Sequence, residues 1–207
     1  MDEISRIKDI YKTYDTSENY KKLYSPFGLY AYFFISLEQH LIQLFKKNKL
    51  YTLENKRILD FGIGEGKNIS IFYKLGLRPE DIFGTDILFY RLKKIKDFYN
   101  NIDISQSEGQ FLPYKNNSFD IVSQFVVFSS ILNDNVCRNI AAEMLRVLKD
   151  DGMIIWYDSH GGNMMSEHTR SYSEKQIKEF FPNCRYEFKR IIPHSQLSLR
   201  LGKYECG

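Results

Sequence analysis

Strand and helix signals alternate five times between residues 51 and 160, and two closely spaced alternating segments follow, which together predict an α/β fold. The expected architecture is a doubly wound seven-stranded sheet, mostly parallel with its last strand antiparallel, preceded by an N-terminal helical segment. Arg57–Phe61, Asp81–Thr85 and Met153–Tyr157 are short apolar runs, and Ile102 with Ile104 suggests a further strand. Phe119–Val127 is apolar over a longer stretch, the pattern of a central strand covered on both faces. Between these runs lie helical stripes: Ile69, Phe72 and Leu75; then Leu92, Ile95, Phe98 and Tyr99; then Val136, Ile140, Met144, Leu145 and Leu148. Gly76 suits the stop of the first of these helices. Ser173-Glu174-Lys175-Gln176 is a capping box with Tyr172 and Ile177 placed as its hydrophobic staple, which predicts a helix running to about Phe181 before Pro182. Cys184, Tyr186 and Phe188 then alternate with polar residues, as do Leu197, Leu199 and Leu201. The connection between these two segments is too short for a helical crossover, so they should pair antiparallel.

Residues 1–50 have a different texture, with Tyr11, Tyr14, Tyr20, Tyr24, Tyr30 and Tyr32 among polar residues. Phe34, Leu37, Leu41, Leu44 and Phe45 keep helical spacing, so a helical segment 1–50 followed by one globular unit 51–207 is expected. The chain of 207 residues carries 29 Lys and Arg against 26 Asp and Glu, a net charge of +3. No strong field recruits nucleic acid or an acidic membrane. The longest apolar stretch, Leu29 to Ile35, is far below the ~20 residues of a membrane helix. Three widely spaced cysteines disfavour a disulfide framework and a zinc site, and no metal is expected. A cytoplasmic single domain is the class left, and a monomer or homodimer is expected.

Open parallel sheets bind ligands beyond the carboxyl ends of their strands, near the point where strand order reverses. The first strand–turn–helix here reads Asp60-Phe61-Gly62-Ile63-Gly64-Glu65-Gly66. A dinucleotide site needs a third glycine where Lys67 stands, and a Walker loop needs Ser or Thr where Asn68 stands. What remains is an acidic residue followed by glycines at alternate positions.

That loop resembles the first motif of the class I S-adenosylmethionine-dependent methyltransferases, of the type-11 or UbiE-like kind, with a Rossmann-like fold. Three further stretches resemble the family in order: Gly84-Thr85-Asp86-Ile87; Ser107-Glu108-Gly109 with Leu112-Pro113 and Ser118-Phe119-Asp120; and Glu143 with Arg146-Val147-Leu148-Lys149 before Asp151-Gly152. The resemblance implies S-adenosyl-L-methionine as cofactor and S-adenosyl-L-homocysteine as product. It implies Asp60, Gly62, Ile63, Gly64 and Gly66 around the methionine end, Asp86 on the ribose hydroxyls with Ile87 beside it, and Glu108 with Gly109 at the adenine. Glu108 departs from the family's usual Asp by one methylene. Gln124 and Phe125, ending the fourth strand, are expected beneath the cofactor, and Tyr14 is a candidate in an N-terminal lid together with Tyr11 and Tyr24. Each lid tyrosine reads equally as an aromatic that docks its own helix.

Ile155-Trp156-Tyr157-Asp158 with Arg170 further resembles a subgroup found in bacterial sugar and cell-surface-polysaccharide gene clusters, although Ser159-His160 replaces that subgroup's Phe-Arg pair. The expected reaction is methylation of a small-molecule or sugar acceptor, at a hydroxyl oxygen. N-methylation, a binding module without turnover, and a nicotinamide-dependent oxidoreductase are the alternatives. A hydroxyl acceptor benefits from a general base. His160, after the fifth strand, is the first candidate and His194, in the terminal hairpin loop, the second; the alternative for each is an exposed loop histidine. Asp158 is a candidate to orient the histidine or bind acceptor hydroxyls, or else caps the sheet end. Arg146 is expected to form a structural ion pair with Glu143.

Overall fold

The computed structural model describes residues 2–23, 25, 29–159, 167–191 and 199–206, the side chains of 23, 29 and 199–206 excepted. The chain divides into two units, Met1–Thr52 and Leu53–Gly207.

The first unit is helical: α1 (Glu3–Thr16), α2 (Glu18–Leu23) and α3 (Leu29–Lys47). Asp2 caps α1, its carboxylate accepting from the Ser5 amide at 2.9 Å. Tyr14 stacks on Tyr20 with ring centroids 5.1 Å apart and meets the edge of Tyr11 at 5.8 Å. In α3 the stripe Leu37, Leu41, Leu44 and Phe45 is buried, at the helical spacing read from the sequence. No helix among the described residues is long and apolar enough to cross a membrane.

The second unit alternates β1 (Ile58–Phe61), α4 (Ile69–Lys74), β2 (Ile82–Asp86), α5 (Phe89–Phe98), β3 (Asp103–Gln106), β4 (Phe119–Phe125), α6 (Asp134–Val147) and β5 (Leu148–Ser159), then α7 (Glu174–Phe180), β6 (Cys184–Arg190) and β7 (Leu199–Cys206). The sheet has seven strands in the order β3-β2-β1-β4-β5-β7-β6. The five strands from β3 to β5 are parallel, and β7 runs antiparallel to both β5 and β6. The predicted seven-stranded, mostly parallel sheet with an antiparallel last strand is therefore the observed fold. Two boundaries differ. The strand expected around Leu197–Leu201 runs instead to Cys206, and β5 begins at Leu148, well before Met153.

The core follows much of the burial pattern read from the sequence, but Phe98 of the expected α5 stripe is 81% exposed, and only Leu92 and Ile95 of that helix turn inward. Ile58, Leu59, Phe119, Val122, Ile154 and Ile155 are fully buried, and α6 turns Cys137, Ile140, Ala141, Met144 and Val147 inward. The capping box of α7 is present in both its hydrogen bonds. Gly76, with φ of 95°, supplies the left-handed residue that ends α4. On one face of β5, Trp156 packs among Phe128, Tyr172 and Phe181, with centroids between 4.3 and 5.9 Å.

Sheet order reverses at β1 and β4: the chain steps outward from β1 to β2 and β3, then returns to pair β4 with β1's other edge. Loops at the carboxyl ends of these strands flank the resulting crevice. The middle of the segment from Ser107 to Ser118 is gripped by Arg146 together with Glu143. The Arg146 guanidinium pairs with Glu143 at 2.6 Å and donates to the carbonyls of Leu112 at 3.0 Å and Tyr114 at 2.8 Å, while Glu143 accepts the Leu112 amide at 2.7 Å. The expected ion pair is thus part of a larger clamp. Arg146→Leu should lower stability by about 1–3 kcal/mol by orphaning these carbonyls and Glu143, seen as a lower urea midpoint with an unchanged slope; an unchanged midpoint would show the clamp to be idle.

Candidate functional site at the carboxyl ends of β1 and β4

β1 delivers Asp60 into the sheet and then turns sharply through the glycine loop. Gly62, Gly64 and Gly66 have φ of 71°, 58° and 76°, a region that side chains with a Cβ rarely enter. Two of them are also sterically fixed: a Cβ on Gly62 would lie 2.3 Å from a Val127 methyl, and one on Gly66 would lie 2.5 Å from Ile69. Gly64 differs, because a Cβ there would meet nothing within 4 Å. The loop is thus closed on its inner side and open at Gly64.

Its backbone is largely satisfied from within. The amides of Gly62 and Ile63 donate to the Thr85 carbonyl at 2.8 and 3.0 Å, and Gly66 donates to Ile63 at 2.9 Å. The Gly64 amide donates to Asp86 Oδ2 at 2.8 Å, and the Leu88 amide to Asp86 Oδ1 at 2.8 Å. Asp86 therefore clasps the glycine loop to the end of β2. Each of its oxygens keeps a lone pair for a further donor, as two ribose hydroxyls would require. It does not cap α5, whose N-cap is Leu88.

Asp60 is 1% exposed. Its Oδ1 accepts from Ser123 Oγ at 2.9 Å, whereas its Oδ2 is buried with no hydrogen-bond partner among the described residues. Burial pushes this carboxyl up to about 7; the Ser123 hydroxyl opposes that rise and the nearby Asp86 charge adds to it. Burial also raises Asp86, against the pull of its two amide donors. An unsatisfied carboxylate oxygen and an open glycine cradle together fit a ligand carrying an ammonium group, which the amino-acid end of S-adenosylmethionine has.

The remaining expected residues fall around the same rim. Ile63 is buried and packs on Gly84, filling the loop from below, and Ile87 is half-buried just past β2. Glu108 is exposed beyond β3. Beside it Gly109, with φ of 79°, leaves room for the Phe61 ring, which a Cβ would approach to 2.5 Å. Phe125 is half-buried, with centroids 6.4 Å from Phe72 and 6.2 Å from Tyr157.

Two further expected residues are bound into the rim itself. Gln124 is fully buried and engages its carboxamide there, accepting the Val127 amide at 3.0 Å and donating to the Tyr157 carbonyl at 3.4 Å. Its side chain braces a turn. Asp158 is 1% exposed and accepts the amides of Ser129 at 3.1 Å and Ser159 at 2.8 Å. Burial lifts its carboxyl to about 6 against those donors, and it ties the end of β5 to the turn after β4, the sheet-end cap that is its alternative reading. His160, His194 and Tyr24 lie outside the described residues. Tyr14 belongs to the N-terminal unit, where its ring contacts are with Tyr11 and Tyr20.

One group was missed at the sequence level. The Arg170 guanidinium lies over the Tyr172 ring at 4.6 Å, donates to the Tyr172 hydroxyl at 2.7 Å and to Cys137 Sγ at 3.4 Å, and pairs with Asp134 at 2.6 Å. The Tyr172 hydroxyl in turn lies 2.9 Å from the Phe128 carbonyl and 3.1 Å from that of Ile131. Tyr172 is read from the sequence as a staple, Arg170 only as part of a subgroup resemblance, and Cys137 only as one of three widely spaced cysteines. Their shared polar centre leaves no periodic signal.

Residues 59–156 match the family model described as a methyltransferase domain. A ubiquinone/menaquinone biosynthesis C-methyltransferase, UbiE, of Campylobacter jejuni is 25% identical over 149 residues, 70% of this chain and 57% of that protein. The alignments with curated relatives span between 35% and 57% of those proteins' own lengths. Among solved structures, the PH0226 protein of Pyrococcus horikoshii superposes with a TM-score of 0.72 at 15% identity, covering 95% of this chain and 99% of that one. The 1,6-didemethyltoxoflavin-N1-methyltransferase of Burkholderia thailandensis, solved with S-adenosylhomocysteine bound, gives a TM-score of 0.71 at 12% identity over 98% of this chain and 87% of that one. Over residues 59–156 the second unit matches that methyltransferase-domain model, and its motifs, strand order and open glycine loop after a buried carboxylate resemble those of the class I S-adenosylmethionine-dependent methyltransferases.

Proposed function

We propose that this chain transfers the methyl group of S-adenosylmethionine to a small-molecule or sugar acceptor, at a hydroxyl oxygen. The observation that carries the reading is the unpartnered, buried Oδ2 of Asp60, two residues before a glycine loop that is open at Gly64. Bound there, the cofactor supplies an activated methyl on a sulfonium, so the protein's task is to bind, orient and exclude water. Asp60 pairs with the ammonium, Asp86 accepts the ribose hydroxyls, and Glu108 reaches the adenine edge. Ile63 and Ile87 supply apolar walls. His160 serves as the base for a hydroxyl acceptor, with His194 as its substitute. The relative from Campylobacter is named a C-methyltransferase, which makes carbon the competing acceptor atom.

Cofactor identity is read first by heat stabilisation. S-adenosylhomocysteine at a hundredfold excess over its Kd should stabilise the fold by roughly 2.7 kcal/mol, and NAD by nothing; the reverse order would replace the methyltransferase reading with an oxidoreductase. Asp86→Ala should weaken S-adenosylhomocysteine binding more than about tenfold, since the loop clasp and the ribose acceptor are lost together. Unchanged affinity in calorimetry would remove Asp86 from the site.

Asp60 makes a prediction of opposite signs. Folded, it keeps its proton up to about pH 7; unfolded, it releases it near its ordinary 3.8. Across that window the folded chain binds more protons, so the ligand-free protein loses stability as pH rises from about 4 to about 7. Asp60→Asn should therefore melt higher than the wild type at pH 8 without ligand, yet bind S-adenosylmethionine more weakly. A variant that is less stable and binds equally well would show Asp60 to be structural only. With a panel of hydroxylated acceptors, His160→Ala should lower turnover about a hundredfold while leaving cofactor affinity intact; retained turnover would pass the role to His194 or to positioning alone.

A further inference from the structure

The residue just after β4 is one that its own geometry disfavours. Val126 has φ of 58°, and a β-branched side chain enters this region only where its surroundings impose it. Here they do. Its amide donates to the Tyr157 carbonyl at 2.7 Å, and the next amide, Val127, is held by Gln124 Oε1 at 3.0 Å. The effect of the turn is to seat a Val127 methyl in the space where Gly62 would carry its Cβ, so the first glycine of the cofactor loop and the turn after β4 are in direct van der Waals contact. From Val127 the chain continues into a short 3-10 turn, Phe128–Ser130, which is gripped from the other side. Asp158 accepts the Ser129 amide, the Arg170 amide donates to the Ser129 carbonyl at 2.8 Å, and Tyr172 reaches the carbonyls of Phe128 and Ile131.

We propose that the Val126–Val127 turn is a positioning device that carries occupancy of the glycine loop, through the Gly62–Val127 contact, to residues 126–131, so that this wall of the acceptor crevice is set once the cofactor is in place. The inference rests on the methyltransferase reading and deepens it. Gln124, Val126 and Val127 are positioning residues; none of them touches the reacting atoms. The strain at Val126 keeps Val127 pressed on the loop. A relaxed turn would let the wall move independently of the cofactor.

Segment 126–131 reports on itself, because the amides of Val126, Val127, Ser129, Ser130 and Ile131 all have acceptors within the fold. Their hydrogen exchange therefore reads opening of this turn. In the wild type, saturating S-adenosylhomocysteine should slow exchange across 126–131 at least about fivefold. In Val127→Ala, S-adenosylhomocysteine should bind within about fivefold of wild-type affinity by calorimetry, while its slowing of 126–131 falls below about twofold. Equal slowing in the variant overturns the proposal, as does a wild type that binds S-adenosylhomocysteine with no change in this segment. A wild type that does not bind S-adenosylhomocysteine overturns instead the reading beneath it. Val126→Gly decides the matter should Val127→Ala fail to fold. It relieves the left-handed strain, so its melting temperature should equal or exceed that of the wild type, yet its ligand-induced slowing should drop by at least about half. A merely structural turn would keep full slowing in Val126→Gly, and that result sinks the proposal.

Discussion

The hydrogen bond from the Gly64 amide to Asp86 Oδ2, 2.8 Å long, is the join on which the site is assembled. It fastens a loop of three positive-φ glycines to the end of the neighbouring strand, and it does so with a carboxylate whose second oxygen holds the Leu88 amide. A loop of this kind has little conformational preference of its own, because glycine loses more freedom on ordering than any other residue. Its shape must be imposed from outside, and the hydrogen bonds to Thr85 and Asp86 impose it. With the inner side occupied by Val127 and Ile69, the open side at Gly64 is where a ligand can approach the main chain.

Beneath that join the sheet carries two buried carboxylates with different fates. Asp158 has amide donors from Ser129 and Ser159, so its burial is compensated and it holds two strand ends together. Asp60 has one hydroxyl donor and one bare oxygen. The first arrangement stabilises the protein as it stands. The second is a cost that a cationic ligand offsets, which is how binding sites commonly differ from structural caps.

The rim on the β4 and β5 side is held by polar groups placed among aromatics. Tyr172 stands next to Trp156 and Phe128 yet directs its hydroxyl to two main-chain carbonyls, and Arg170 covers its ring while reaching Asp134 and Cys137. Polar centres of this type fix one arrangement of a turn more sharply than apolar packing alone, because any other arrangement strands a buried donor or acceptor.

Much of this was legible from the chain alone. Alternating apolar runs and helical stripes carry the order of elements, the short last connection carries the antiparallel hairpin, and Asp60, the glycines and Asp86 stand at spacings that name their family. These features are local or periodic, and local rules of backbone conformation and burial act on residues close in sequence. Gln124 reads in sequence as lying beneath a ligand and Asp158 as an acceptor group or a sheet-end cap; in the fold both bind the rim, partly through neighbours in sequence, Val127 and Ser159, and partly through Tyr157 and Ser129, which only the pairing of β4 with β5 and the turn that follows bring within reach. The left-handed Val126, the seating of Val127 on Gly62 and the Arg170–Tyr172–Cys137 centre likewise join residues up to 65 positions apart. Periodicity has no term for such distant meetings; they exist only once the sheet has closed.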